Sequence, residues 1–206
     1  MRAWCAAVLL AALVFSAPAG AAALKARTFR VDNALPGKNP DGVTARPVIS
    51  GNGYVIAYDS DSANLADDPN GFTRDVFVRS LSYTRSLLVS TGLGGKPANG
   101  RSVAPAISSD GFTVAYQSSA SNLTPGDRNH HTDVFLRHAA DPTQLVSVAR
   151  DGGPANGDSA QADISANGRF VAFTSAASNL VTGDTNHHRD VFLRDMRRGV
   201  TVRVSH

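Results

Sequence analysis

Pro105-Ala106-Ile107-Ser108-Ser109-Asp110-Gly111, followed by Asp133-Val134-Phe135-Leu136-Arg137, decides the fold, because both stretches recur on either side. Upstream stand Pro47-Val48-Ile49-Ser50-Gly51-Asn52-Gly53 and Asp75-Val76-Phe77-Val78-Arg79. Downstream stand Ala162-Asp163-Ile164-Ser165-Ala166-Asn167-Gly168 and Asp190-Val191-Phe192-Leu193-Arg194. The closing glycines are spaced by 58 and 57 residues, and so are the aspartates that open the second stretch. Ala63-Asn64-Leu65, Ser121-Asn122-Leu123 and Ser178-Asn179-Leu180 keep step between them. Two landmarks in one register make a threefold repeat, and a period of that length determines architecture before local propensity does.

Each unit reads as four short strands. The first carries the isoleucine and ends at Asn52-Gly53, Asp110-Gly111 or Asn167-Gly168, dipeptides suited to the positive φ of a tight hairpin. The second covers Tyr54 to Tyr58, Phe112 to Gln117 and Arg169 to Phe173. After a polar loop comes the third, whose unbroken Val-Phe-Val or Val-Phe-Leu run suits a strand covered on both faces. The fourth covers Leu87 to Ser90, Gln144 to Val148 and Val200 to Ser205. Helical periodicity is absent beyond the N-terminal segment. The expected fold class is all-β, with β-propeller blades of four antiparallel strands. About three blades are expected, over 47–90, 105–148 and 162–205 within 47–206.

The repeated I-S-x-[DN]-G, V-A-[YF] and D-V-F-[VL]-R together resemble the TolB-like, WD-repeat-like β-propeller repeat of bacterial envelope proteins. The resemblance covers Pro47 to Ser205. Departures are the missing G-H and W-D pairs and a degraded loop in the first unit. The resemblance implies roughly six or seven blades, and propellers have about four at least. Residues 24–46 form an N-terminal strand and connector: Thr28 to Asp32 aligns with a fourth strand, and Pro36 to Gly42 matches the Asn99-Gly100 and Asn156-Gly157 connectors. Three readings follow: two chains completing a six-bladed ring as a homodimer, a three-blade arc docked on another protein, or a fragment of a larger propeller.

Arg2, the apolar run Ala6 to Phe15 and the small residues Ser16 to Ala23 read as a secretory signal peptide over residues 1–23. The run is shorter than the roughly 20 residues of a membrane span, and Ala19-Gly20-Ala21 and Ala21-Ala22-Ala23 fit a peptidase site. The expected location is secreted or periplasmic, with no membrane span after cleavage. Cys5 and Trp4 leave with that segment, which removes disulfides, thiolate metal sites and cysteine nucleophiles. At 42% apolar and 18% charged, with mean hydropathy −0.13, the chain is of ordinary soluble composition. A net charge of +3 with scattered basic residues is too weak a field for nucleic acid.

The loop before the third strand repeats as D-x-N-x-x-x-D: Asp127, Asn129 and Asp133, then Asp184, Asn186 and Asp190. Calcium takes about six to eight oxygens, and alternate residues of a tight loop aim theirs inward. These six residues are therefore the candidate calcium ligands, and calcium is the one cofactor suggested. The competing reading is that Asp and Asn bond their own loop backbone in Asx-turns. Unit one offers Asp67, Asp68 and Asn70 out of register. The pairs His130-His131 and His187-His188 could reach a transition metal only if loops of neighbouring blades converge. Asn122-Leu123-Thr124 matches a glycosylation sequon that its counterparts lack. No G-x-S-x-G is present. The expected function is an exported, non-catalytic scaffold binding a protein or cell-envelope ligand through its loops. The alternative is a hydrolase or lyase acting at the propeller axis.

Overall fold

Ser50, Ser108 and Ser165 explain why I-S-x-[DN]-G turns the chain. Each hydroxyl donates to the Asn52, Asp110 or Asn167 side-chain oxygen two residues on, at 2.7, 2.5 and 2.7 Å. Each also accepts the N–H of Val55, Thr113 or Phe170, which starts the next strand. The glycines that close these turns have φ of 75°, 80° and 70°, the left-handed region where a side chain would be strained.

The structure is a computed structural model that describes residues 28, 30–32, 38–66, 70–83, 85–139 and 141–205. The signal segment 1–23 lies outside them, as do Asp67 and Asp68. Among the described residues twelve strands form three antiparallel sheets, all in the compact unit Val31–His206. Blade 1 comprises β1 (Thr44–Ile49), β2 (Val55–Ser60), β3 (Asp75–Ser80) and β4 (Leu87–Leu88). Blade 2 comprises β5 (Ser102–Ile107), β6 (Thr113–Ser118), β7 (Asp133–His138) and β8 (Gln144–Leu145). Blade 3 comprises β9 (Ser159–Ile164), β10 (Phe170–Ser175), β11 (Asp190–Asp195) and β12 (Val200–Arg203). Each pairs in chain order, the meander of a propeller blade.

Boundaries differ from the sequence reading in three places. The first strands start three residues earlier than Pro47, Pro105 and Ala162, because they continue through a bulge with Arg46, Ala104 and Gln161 at φ of 48°, 53° and 54°. Proline looked like a boundary but is tolerated at a bulge on an edge strand. The fourth strands stop early in all three blades. Beyond them the hydroxyls of Ser90, Ser147 and Ser205 accept the N–H of Val76, Val134 and Val191, while the carbonyls of those valines accept the N–H of Val89, Val146 and Val204. Finally, Thr28, Arg30, Val31 and Asp32, the described residues of the segment expected as a strand, lie in no strand, and Phe29 lies outside the described residues. A single 3₁₀ turn, Leu93–Gly95, is the helical structure among the described residues.

The blades stack through alternating faces. The back of blade 1 (Ala57, Val76, Val89) packs on the front of blade 2 (Val114, Tyr116, Phe135). The back of blade 2 (Ala115, Val134, Leu136, Val146) packs on the front of blade 3 (Val171, Phe173, Phe192). Each front carries one aromatic pair, Tyr58–Phe77, Tyr116–Phe135 and Phe173–Phe192, with centroids 5.9, 6.0 and 5.8 Å apart. Such pairs contribute about 0.5–1.5 kcal/mol beyond their area.

Polar latches join the same faces. The bulges turn the N–H of Ala104 to Asp59 (3.1 Å) and of Gln161 to Gln117 (3.0 Å) on the preceding blade. Asp59 is fully buried and also takes Arg46 and Arg74 at 3.0 and 2.9 Å. The two outermost faces are not alike. Tyr58, Phe77 and Leu65 on the front of blade 1 are at most 1% exposed, whereas Val191 and Val204 on the back of blade 3 are 39% and 54% exposed.

Candidate functional site

The loops 61–74, 119–132 and 176–189 emerge at one end of the blades, together with the connectors 91–101 and 149–158. Asn122 and Asn179 of the repeated Asn-Leu dipeptide hold those connectors. Asn122 Nδ2 donates to the Pro97 carbonyl (2.9 Å) and its Oδ1 accepts the Asn99 N–H (2.9 Å). Asn179 does the same with Pro154 (3.4 Å) and Asn156 (3.0 Å). The Asn122 amide is thus engaged in a clamp shared with Asn179, which accounts for the sequon-like triplet. Gly100 and Gly157 lie so close under residues 119–120 and 176–177 that a Cβ would approach backbone atoms within 2.8–2.9 Å. Gly42 sits equally close to Asp61 and Ser62.

The aspartate that opens each third strand stands in a recurring network. Asp133 Oδ1 accepts from the Ser147 hydroxyl at 2.5 Å and its Oδ2 from Asn129 Nδ2 at 2.6 Å. Asn129 also donates to the Ala155 carbonyl at 2.9 Å, and its own oxygen accepts the His131 N–H at 2.9 Å. Asp190 repeats this with Ser205 (2.5 Å) and Asn186 (2.8 Å). Asp75 repeats it with Ser90 (2.5 Å) and Asn70 (2.7 Å). Asn70 therefore fills the role of Asn129 one residue out of step, so the first unit is complete despite its altered loop. The serines were missed from sequence. Their signal was a Val-Ser pair, 89–90, 146–147 and 204–205, at a near-constant distance from the aspartate.

Of the expected calcium ligands, the structure joins Asn129 to Asp133 and Asn186 to Asp190 directly. Asp127 is 6% exposed, and its carboxylate accepts the Asn129 backbone N–H. Asp184 behaves differently: Arg203 Nη1 lies 3.0 Å from its Oδ1 and 3.7 Å from Asp190 Oδ2. At that strand position, opposite the phenylalanine, blades 1 and 2 carry Leu88 and Leu145. A guanidinium thus stands between the third loop's carboxylates.

The two loops differ electrostatically chiefly through desolvation, with Arg203 a lesser contributor. Burial pushes the Asp133 carboxyl up to about 6, outweighing its bonds to Ser147 and Asn129, and the neighbouring Asp127 adds to the rise. Burial also raises Asp127. Asp190 is lowered instead, by its bonds to Ser205 and Asn186, with Arg203 and His188 contributing.

The histidine pairs do not alternate as in a strand, because His130 and His187 have φ of 58° and 57°. His131 Nδ1 reaches Asp158 of the next blade at 3.2 Å, whose Oδ1 also accepts the Thr132 N–H. His187 and His188 line a shallow depression with Asp184, Asn156 and Ser178. Among the described residues no three His or acidic side chains gather to hold a metal ion. The chain contains no glutamate, so every carboxylate is the short one that stays near its own backbone.

No family model matches this chain, and no curated protein matches it. Solved structures that it is similar to include a protein assigned as TolB from Agrobacterium tumefaciens, 17% identical over 75% of this chain and 46% of that one, with a TM-score of 0.46. A second is the β-propeller domain of the Trilobed protease from Pyrococcus furiosus, 10% identical over 78% of this chain and 41% of that one, TM-score 0.48. A third is TolB from Acinetobacter baumannii, 14% identical over 80% and 44%, TM-score 0.34. The chain therefore spans less than half the length of these structures.

Proposed function

We propose that this chain is an exported, non-catalytic scaffold that presents the tips of its loop end to a protein or cell-envelope ligand. The observation that supports this most is how the repeated polar residues are used. Asp75, Asp133 and Asp190 each have both carboxylate oxygens engaged by a serine and an asparagine of their own unit. Carboxylates so engaged hold loops in place, and being buried they lie out of a substrate's reach. The tips are exposed; they share a histidine pair, His130-His131 and His187-His188, and differ at Arg128 against Thr185 and Thr132 against Arg189. Exposed polar tips repeated on a stacked scaffold suit recognition. Export rests on the N-terminal segment, and no helix among the described residues is long and apolar enough to cross a membrane.

A photo-crosslinker at His130 or His187, compared with one at Asp141 on the opposite end, tests this in intact exporting cells. Adducts from the loop end alone are expected. Equal adducts from both ends, or none from either, would sink the proposal.

The calcium reading is kept for Asp127, Asn129 and Asp133, where two buried carboxylates have raised pKa values and no guanidinium between them. Calorimetric titration at millimolar calcium is expected to give heat in the wild type and none in Asp127→Asn. Absence of heat in the wild type leaves the hydrogen-bonded network as the whole account of that loop.

A further inference from the structure

The back of blade 3 is the one blade face in the stack that its own repeats show to be uncovered. Val76 and Val134 are fully buried, and Val89 and Val146 are at most 5% exposed, because the next blade lies on them. Their equivalents on blade 3, Val191 and Val204, are 39% and 54% exposed, with Val200 and Val202 extending the patch at 50% and 47%. Strand alternation puts Val200, Val202 and Val204 on one side of β12, and Val202 stands opposite Leu193.

That face has also lost the two features by which blades 1 and 2 receive a following blade. Asp59 and Gln117 accept the bulge N–H of the next blade. At the same place blade 3 has Thr174, a shorter side chain whose hydroxyl donates back to Ala160 O and Gln161 Oε1 of its own blade, each at 3.2 Å. Val55 and Thr113 seat the hairpin glycines Gly111 and Gly168 so closely that a Cβ there would fall 2.6 and 2.8 Å from them. Blade 3 fills that seat with Phe170, over whose ring the Arg169 guanidinium lies 4.7 Å from the centroid, itself held by Asp195 at 2.6 Å. A further blade in the existing geometry would meet Phe170 and find no carboxylate or amide for its bulge.

We infer that this face is the interface of a two-fold dimer with a second copy of the chain, back of blade 3 against back of blade 3. An isologous contact needs only a self-complementary patch, here valines bordered by Phe170 and the Arg169–Asp195 pair, and requires neither a hairpin glycine nor a bulge N–H from the partner. Head-to-tail closure of two chains is disfavoured by the front of blade 1, whose Tyr58 and Phe77 are already fully buried. A sheet face of six residues by four strands spans roughly 20 by 19 Å, which is small for a permanent dimer and fits a weak, concentration-dependent one.

Light scattering on the purified chain from about 1 to 100 μM is the test. The mass is expected to double across that range in the wild type. Val204→Glu, at an exposed position, is expected to keep its circular dichroism spectrum and to raise the midpoint at least about tenfold, since a carboxylate would be buried against its own copy. Ile49→Glu, on the exposed margin of the blade 1 front, is expected to leave the midpoint unchanged. A wild type that stays monomeric at 100 μM overturns the inference. So does a dimer that survives Val204→Glu or is dissociated by Ile49→Glu, which would point to head-to-tail assembly.

Discussion

Acid should stabilise this protein between pH 7 and pH 4, and Asp133 is the reason. Its carboxyl is fully buried between blades 2 and 3 and raised to about 6, against about 3.9 in an unfolded chain. A group whose folded pKa is raised favours the folded state while protonated. The contribution is fully present below about 3.9 and is lost as pH climbs through about 6. At about 1.4 kcal/mol per pH unit, the span of about two units corresponds to roughly 3 kcal/mol less stability at pH 7 than at pH 4. Asp127 is shifted in the same direction and adds to it. Asp195, held at about 2 by Arg169, and Asp190, lowered by Ser205 and Asn186, act in the opposite sense, but only as pH falls below the ordinary carboxylate value. Asp133→Asn removes the titration while keeping an oxygen for Asn129 Nδ2, and its new N–H₂ can donate to the Ser147 hydroxyl. Urea midpoints taken at half-unit steps from pH 4 to 7.5 are the assay. The wild type is expected to gain up to about 3 kcal/mol on acidification, and Asp133→Asn to lose most of that slope. If the variant keeps the full slope, or if the wild type weakens steadily from pH 7 to pH 5, the assignment of a buried, proton-seeking Asp133 is wrong.

Phe135→Ala and Phe192→Ala, each at 0% exposure between two blades, are expected to cost roughly 3–5 kcal/mol by urea denaturation. His131→Ala, which removes only an exposed pairing with Asp158, is expected to cost under about 1 kcal/mol. Gly111→Ala and Gly53→Ala share positive-φ strain, but only Gly111 faces a neighbouring blade, with Val55 Cγ2 at 2.6 Å from a built Cβ. The first should therefore be less stable than the second by about 1–3 kcal/mol, and equal losses would disprove the close blade contact. N-terminal sequencing of exported material is expected to begin between Ala22 and Leu24, whereas an intact Met1 on membrane-bound protein would favour an anchor.

The repeat alone determined the blade. Ile-Ser-x-[DN]-Gly carries its own turn, because the serine hydroxyl, the Asn or Asp oxygen and the glycine satisfy one another within six residues. The Val-Phe-Val and Val-Phe-Leu runs declared strands covered on both faces for the same local reason, that side-chain alternation leaves no polar side. Where the ladder gives way was not legible, since it depends on partners outside the strand. Ser90, Ser147 and Ser205 take the valine N–H groups through hydroxyls that approach only after the fourth strand has folded back, and Pro105 sits beside a bulge whose N–H is satisfied by a different blade. The D-x-N-x-x-x-D loops show the same division. Sequence placed their oxygens at a spacing that suits an ion or an Asx network, but only the folded blade brings the Ser147 and Asn129 donors to Asp133 and sets Arg203 beside Asp184. Burial and long-range pairing, not residue type, separate Asp133 from Asp190. They equally separate the covered Val134 from the exposed Val191, two valines in identical motifs whose difference lies entirely in what stands against them.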